Sequence, residues 1–196
     1  MKRKRAQSLM QLMDIGLNTP IFVVVTQSNL RGLEHFKKQC AIRFDELACE
    51  LPEVDALVVP GPPPLIAHSS PCIAKELLRE LAERGCPFEA QVTDVTIKDS
   101  VGAGASIKFD GKVMAEVAIG GSVRDVTRRG KIDARAYLEG NAMKVIGSLG
   151  GLLAYCTFES LLALRRMPDG VLEWSCHEGK YGVRGDHVIF WEYHPL

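Results

Sequence analysis

The chain has 196 residues, 46% hydrophobic and 24% charged, the balance of an ordinary globular protein with length for one large domain or two small ones. Basic and acidic residues number 24 each, so no net field steers the molecule to nucleic acid, and aromatic residues are not interleaved with the basic runs. The six cysteines form no C-x-x-C pair, which predicts reduced thiols and a cytoplasmic protein.

The opening "MKRKRAQSLMQLMDIGLN" carries a basic start without an apolar run and small-residue cleavage site, which speaks against a signal peptide. Lys2, Arg3, Lys4 and Arg5 read as a solubilising terminus, with RNA contact as the weaker alternative. "PIFVVVT" (20–26) is a short β-branched run without alternation, the pattern of a strand buried on both faces. In "SNLRGLEHFKKQC", Ser28 or Asn29 can cap a helix whose Leu30, Leu33 and Phe36 share one stripe. The piece 41–53 is ambiguous. "VDALVVP" (54–60) reads as a second buried strand stopped by Pro60.

"VPGPPPLIAHSSPC" (59–72) then fixes a stiff loop, read here as part of one sheet rather than a linker. The helix after it is the clearest in the chain. Ser70 can cap it, Pro71 falls at its first position, Ile73, Leu77, Leu78 and Leu81 form its stripe, and Gly85 ends it. "FEAQVTDVTIK" (88–98) supplies a third strand, so the first half reads βαβαβ with parallel strands.

Beyond residue 98 the pattern changes. Asp110-Gly111 sits between two alternating runs and predicts a hairpin over 105–118, with Gly102 and Gly104 in the loop before it or close to a ligand. "VRDVTRRGKIDAR" predicts an exposed basic strand. "NAMKVIGSLGGLLAYCTFESLLALRRMP" predicts one long buried helix over 141–167, capped by Asn141. Its Gly147, Gly150 and Gly151 would each cost about 1 kcal/mol unless another backbone approaches closely. A C-terminal hairpin over 171–194 turns within 178–185 and places Cys176 opposite His187, with Trp174, Ile189 and Trp191 on the Cys176 face. The expected fold is therefore α/β to α+β: a parallel βαβαβ half (1–98) and a mixed or antiparallel half (99–196), either separate or one continuous domain.

Candidate sites follow from that layout. In an open parallel sheet, ligands bind at the carboxyl ends of the strands. Thr26, Gln27, Ser28 and Asn29 would face Ser69 and Ser70 across one rim, each loop leading to a helix N-terminus suited to an anion. His68 and Cys72 are the catalytic candidates, the thiol activated by the helix dipole with His68 as base, against the plainer reading of a small buried hydrophobe. Arg124 and Arg128 could clamp the anion from the second half. The expected function is a transferase- or hydrolase-type enzyme acting on a small anionic, possibly phosphorylated, metabolite. The alternative is a non-catalytic homo-oligomeric sensor or assembly protein joined through helix 141–167.

No dinucleotide fingerprint, Walker motif, H-E-x-x-H or G-x-S-x-G is present, which excludes an NAD-dependent oxidoreductase and assigns no cofactor. No membrane or nucleic-acid partner is expected. Cys176, His177, His187 and His194 gather near the C-terminus without three converging ligands, so no metal is expected there.

Overall fold

Strands that mostly pair with partners distant in sequence define the first half. A computed structural model describes residues 5–61, 63–95 and 100–196, and the chain divides into two compact units. The first holds Met1–Ala6 and Pro20–Lys98, the second Gln7–Thr19 and Asp99–Leu196. Lys2, Arg3, Lys4, Pro62 and the end of the expected strand 88–98 lie outside the described residues.

The first unit contains β1 (Phe22–Thr26), β2 (Cys40–Leu47), β3 (Leu57–Val59), β4 (Leu65–Ser69) and β5 (Phe88–Thr93) in one sheet ordered β1-β5-β2-β4-β3. Every pairing is antiparallel. The parallel βαβαβ expectation is thereby overturned, for a specific reason. β1 and β2 run in the same direction with β5 between them, and β4 and β5 likewise with β2 between them. Strand–connection–strand rhythm specifies a crossover but not whether another strand slots inside it.

β1 is an edge strand: Val23 and Val25 pack inward while Val24 is 38% exposed, so the apolar run is not buried on both faces. The helix expected from Ser28 does not form. Thr26 and Asn29 exchange backbone hydrogen bonds of 3.0 and 3.1 Å, and Gly32 at φ +93 leaves only one 3-10 turn, Leu33–His35. The helix after β4 (Pro71–Glu83) does form: the Ser70 side chain accepts from Ile73 N at 3.2 Å, and Ala74, Leu77, Leu78 and Leu81 are buried. They join Leu33, Phe36, Ile42, Phe44, Ile66 and Val92 in one core. Cys49 and Cys86 form a disulfide across a separation of 37 residues, which corrects the expectation of six reduced thiols.

The second unit holds α1 (Arg5–Asp14) from Gln7 onward, and Leu12 of that helix enters this unit's core; the helix Pro71–Glu83 is α2. A six-stranded antiparallel sheet follows: β6 (Ser100–Phe109), β7 (Lys112–Ile119), β8 (Ala134–Glu139), β9 (Ala142–Ile146), β10 (Gly170–Tyr181) and β11 (Asp186–Pro195), ordered β11-β10-β6-β7-β8-β9. Asp110 (φ 49) and Gly111 (φ 72) make the two-residue turn joining β6 to β7. The basic run 123–129 is helix α3 rather than a strand. Ser122 and Asp125 cap it reciprocally, and Gly130 at φ 65 ends it.

The long helix 141–167 is corrected in the same way. Gly140 and Asn141 turn β8 into β9, and α4 spans only Gly151–Arg165. Gly147 adopts φ +103, a conformation open to glycine, and a Cβ there would lie 2.9 Å from Asp133 O. None of the three glycines sits in a helix interior, so the cost that made the long helix awkward never arises, and the close-contact motive for oligomerisation through it falls away.

Gly102 and Gly104 lie inside β6, not in a loop. Trp174 of β10 faces Gly104 in register, and a Cβ on Gly104 would collide with the indole. The indole Nε1 donates to Ser106 Oγ at 3.0 Å, Ser106 and Ser160 hydroxyls lie 2.7 Å apart, and Ser160 donates to Thr157 O at 2.7 Å. With Ser160's proton committed to Thr157, Ser106 donates to Ser160, so the Trp174 indole and the two serine hydroxyls are all satisfied.

Candidate functional site

The segment 27–39 and α2 both cross the same face of the first unit's sheet, since Leu33 and Phe36 share a core with Leu77 and Leu81. With α2's stripe turned to the sheet, its other positions project sideways, four residues apart along each flank. On one flank Lys75 and Arg79, with Leu30, Leu33 and Glu34, line a hollow of about 110 Å³. On the other, Glu76 and Glu80 join Glu53, Asp55, Val54, Ile73 and Leu77 around a hollow of about 200 Å³. One helix thus separates a cationic recess from an acidic one.

The cationic recess has the better-defined chemistry. Neither Lys75 nor Arg79 makes a hydrogen bond or ion pair among the described residues. The nearby Glu34 carboxylate is turned to its own loop, accepting from Gly32 N at 3.0 Å. Its pKa is lowered, first by the backbone hydrogen bond of Glu34 itself, with Lys75 a smaller contributor. Leu30 and Leu33 provide an apolar wall.

The residues expected from the sequence do not converge there. The β1 and β3 carboxyl ends lie on one edge of the sheet, but four strand spacings apart, about 19 Å. The chain then returns as β4, so Ser69 and Ser70 leave at the opposite edge: Ser69 pairs with Cys40 at the start of β2, level with the start of β1. Ser69 is buried with its hydroxyl donating to Ser70 O at 2.9 Å, and Ser70 is occupied as the α2 cap. Thr26, Gln27, Ser28 and Asn29 form a closed turn in which Asn29 Oδ1 accepts from Arg31 N at 3.1 Å.

His68 lies within β4, opposite Leu57. The Cys72 thiol is exposed and donates to Glu76 Oε1 at 3.4 Å; that hydrogen bond, followed by the carboxylate's charge, raises its pKa. The activating effect of a helix N-terminus is outweighed by this neighbour. Of the other free thiols, Cys40 is pushed up to about 11 by burial, and Cys156 is raised first by its hydrogen bond with Cys176.

Arg124 and Arg128 belong to the second unit, on α3. Much of the surrounding basic run is already engaged: Arg129 with Asp125 at 2.9 Å, Arg135 with Glu116 at 3.1 Å, and Lys131 with Ile119 O at 2.9 Å. In the C-terminal hairpin Cys176 faces Val188 rather than His187, and both enter the core with Trp174 and Phe190. His177 is buried on the opposite face, its Nε2 2.7 Å from Ser175 Oγ, which also accepts from Trp191 Nε1 at 2.7 Å. Sequence reasoning missed Lys75 and Arg79. Their signal was a cation pair spaced i, i+4 beside the apolar stripe of a well-capped helix.

No family model matches the chain, and no curated protein matches it. Among solved structures, macrocyclase MdnC bound with precursor peptide MdnA from Microcystis aeruginosa MRC aligns with a TM-score of 0.46 at 10% identity, over 96% of this chain and 51% of that one. D-cycloserine synthetase DcsG aligns with a TM-score of 0.45 at 10% identity, over 96% and 60% respectively. This chain therefore spans about half the length of those proteins, and at such scores the likeness carries no argument about its fold or chemistry.

Proposed function

We propose that this chain is a binding protein for a small anionic metabolite, held in the recess between segment 30–34 and α2. The observation that carries the reading is the pair of cations, Lys75 and Arg79, which make no hydrogen bond or ion pair among the described residues, beside the apolar wall of Leu30 and Leu33 in a hollow of about 110 Å³. That volume suits a phosphate- or carboxylate-sized group. A guanidinium offers two parallel donors to an oxyanion, and an ammonium adds a point charge.

Transferase- or hydrolase-type chemistry is not part of this reading. The Cys72 thiol is held by Glu76, and Ser69 and Ser70 open on the edge opposite the β1 turn. A ligand-sensing role keeps its support, whereas the homo-oligomer through 141–167 loses the glycine contact that motivated it. Among the described residues no helix is long and apolar enough to cross a membrane. The cytoplasmic placement retains the four unpaired cysteines as support, against the Cys49–Cys86 bridge.

The test is thermal stabilisation by inorganic phosphate, sulfate and short dicarboxylates. A ligand at one hundred times its dissociation constant stabilises by about 2.7 kcal/mol. That gain is expected to fall sharply in Lys75→Ala and Arg79→Ala and to persist in Lys112→Ala, which lies in the second unit. A wild-type protein indifferent to all of these anions overturns the proposal.

A further inference from the structure

One segment of the first unit buries almost nothing, yet carries one end of the disulfide. From Ala48 to Leu65 none of the described residues is buried, although the stretch spans the loop after β2, all of β3 and the turn into β4. Leu51, Val54 and Ala56 are partly buried against the core. β3 is a three-residue edge strand with Leu57 49% and Val58 37% exposed, and its pairing with β4 includes a register shift. An element with so little buried apolar surface opens at low free energy unless something ties it down. The tie sits at its base, where Cys49 is bridged to Cys86 beside the hydrogen bond from Ala48 N to Pro87 O at 3.0 Å.

We propose that the Cys49–Cys86 bridge is a redox-operated latch: oxidised, it closes segment 50–59 against α2, and reduced, it lets that segment open. The two sulfurs differ in access, since Cys49 is half-buried and Cys86 is buried. A glutathione thiolate attacks Cys49 Sγ, the S–S bond breaks, and its electron pair leaves on Cys86 Sγ, which takes up a proton. A second glutathione thiolate attacks the glutathione sulfur of the mixed disulfide and releases Cys49, which is protonated in turn. Two glutathione molecules are thereby oxidised to one glutathione disulfide, and the bridge is reduced to two thiols. Exchange with glutathione disulfide runs the steps backwards and closes the latch. The other four cysteines are unpaired, so this bridge is a single pair and not part of a framework of staples. What opening changes follows from what the segment carries. Glu53 and Asp55 form one wall of the acidic hollow, and Glu76 and Glu80 of α2 form the other. Reduction removes the first wall and uncovers that flank of α2, while the cationic recess on the opposite flank keeps its lining. The latch does not depend on the anion-binding reading.

Hydrogen exchange on the folded, oxidised wild-type protein, before and after reduced glutathione is added, tests it. Reduction is expected to speed exchange in 50–59 at least about tenfold more than in β2 and β5, and glutathione disulfide is expected to restore the slow rates. Cys49→Ser is expected to show the fast rates from the start and to be indifferent to glutathione. Circular dichroism checks that the variant folds, and the wild-type comparison gives the answer without it. Three results overturn the latch: a bridge that glutathione leaves intact in the folded protein, unchanged exchange in 50–59 after reduction, or exchange that speeds by the same factor in 50–59, β2 and β5. The last would make the bridge a fastener of the whole sheet.

Discussion

The two units reach the same antiparallel architecture by opposite routes. In the second, β6–β7, β8–β9 and β10–β11 are hairpins, and β7–β8 are also sequential neighbours; only β10–β6 joins distant strands. In the first, β3–β4 is the only sequential pair among the described residues, and β1–β5, β5–β2 and β2–β4 all enclose other structure. Each such closure costs loop entropy before its contacts form. The first unit also carries the disulfide, placed where it ties the segment after β2 to the segment before β5. Local pairing supports one sheet, while long-range pairing and a covalent clasp support the other.

The strongest attack on the second unit is Trp174→Ala. The indole is fully buried, fills the space above Gly104 and donates into the Ser106–Ser160 pair. Its loss is expected to cost about 3–5 kcal/mol in denaturant unfolding. Hydrogen exchange should show the loss in the amides of β6 and β10. A cost below 1 kcal/mol would mean that the interlock is not what holds those strands.

For the first unit the corresponding change is Cys49→Ser with Cys86→Ser. Releasing a loop of this length frees the unfolded chain and is expected to cost roughly 2–4 kcal/mol. Amide exchange in β2 and β5 is the readout, and adding reductant to wild type should reproduce it. Equal stability with and without reductant would remove the clasp from the comparison and leave core packing as the whole account.

The same contrast explains what could be read from the sequence. α2 was legible because every signal was local: Ser70, Pro71, a 3.6-residue stripe and Gly85. The Asp110-Gly111 turn was legible for the same reason, since a two-residue turn with positive φ is set by its own residues. The first sheet was not, because a strand inserted within a crossover leaves no mark on the crossover's own sequence. The β8–β9 hairpin was missed for another reason. Met143 and Val145 point inward while Ala142, Lys144 and Ile146 are exposed, a period of two. That alternation runs straight into the apolar α4, and Asn141 resembles a helix cap.

The candidate site fared as its geometry did. Predicting that Ser69, Ser70 and the 26–29 turn share a rim required a parallel sheet, and one intervening strand direction places them at opposite edges. Lys75 and Arg79 needed no such inference about strand order, only the helix phase, yet charged pairs on a helix flank usually face solvent and so draw little notice.

The mildest perturbation concerns α4's outer surface. Tyr155 is 41% exposed, and its hydroxyl donates to Asp186 at 3.3 and 3.2 Å. Burial first, then the negative charge of Asp186, pushes its pKa from 10.0 up to about 12. An unfolded chain would release this proton near pH 10 while the native chain still holds it. Stability from this group is therefore complete below about pH 10 and falls as pH rises towards about 12. Because the ring is partly solvated, the slope is expected to be shallow, smaller than either effect above. Tyr155→Phe should flatten it in urea midpoints measured across that window. An unchanged slope in the variant would assign the alkaline loss to other groups and leave the α4–β11 contact without a role in it.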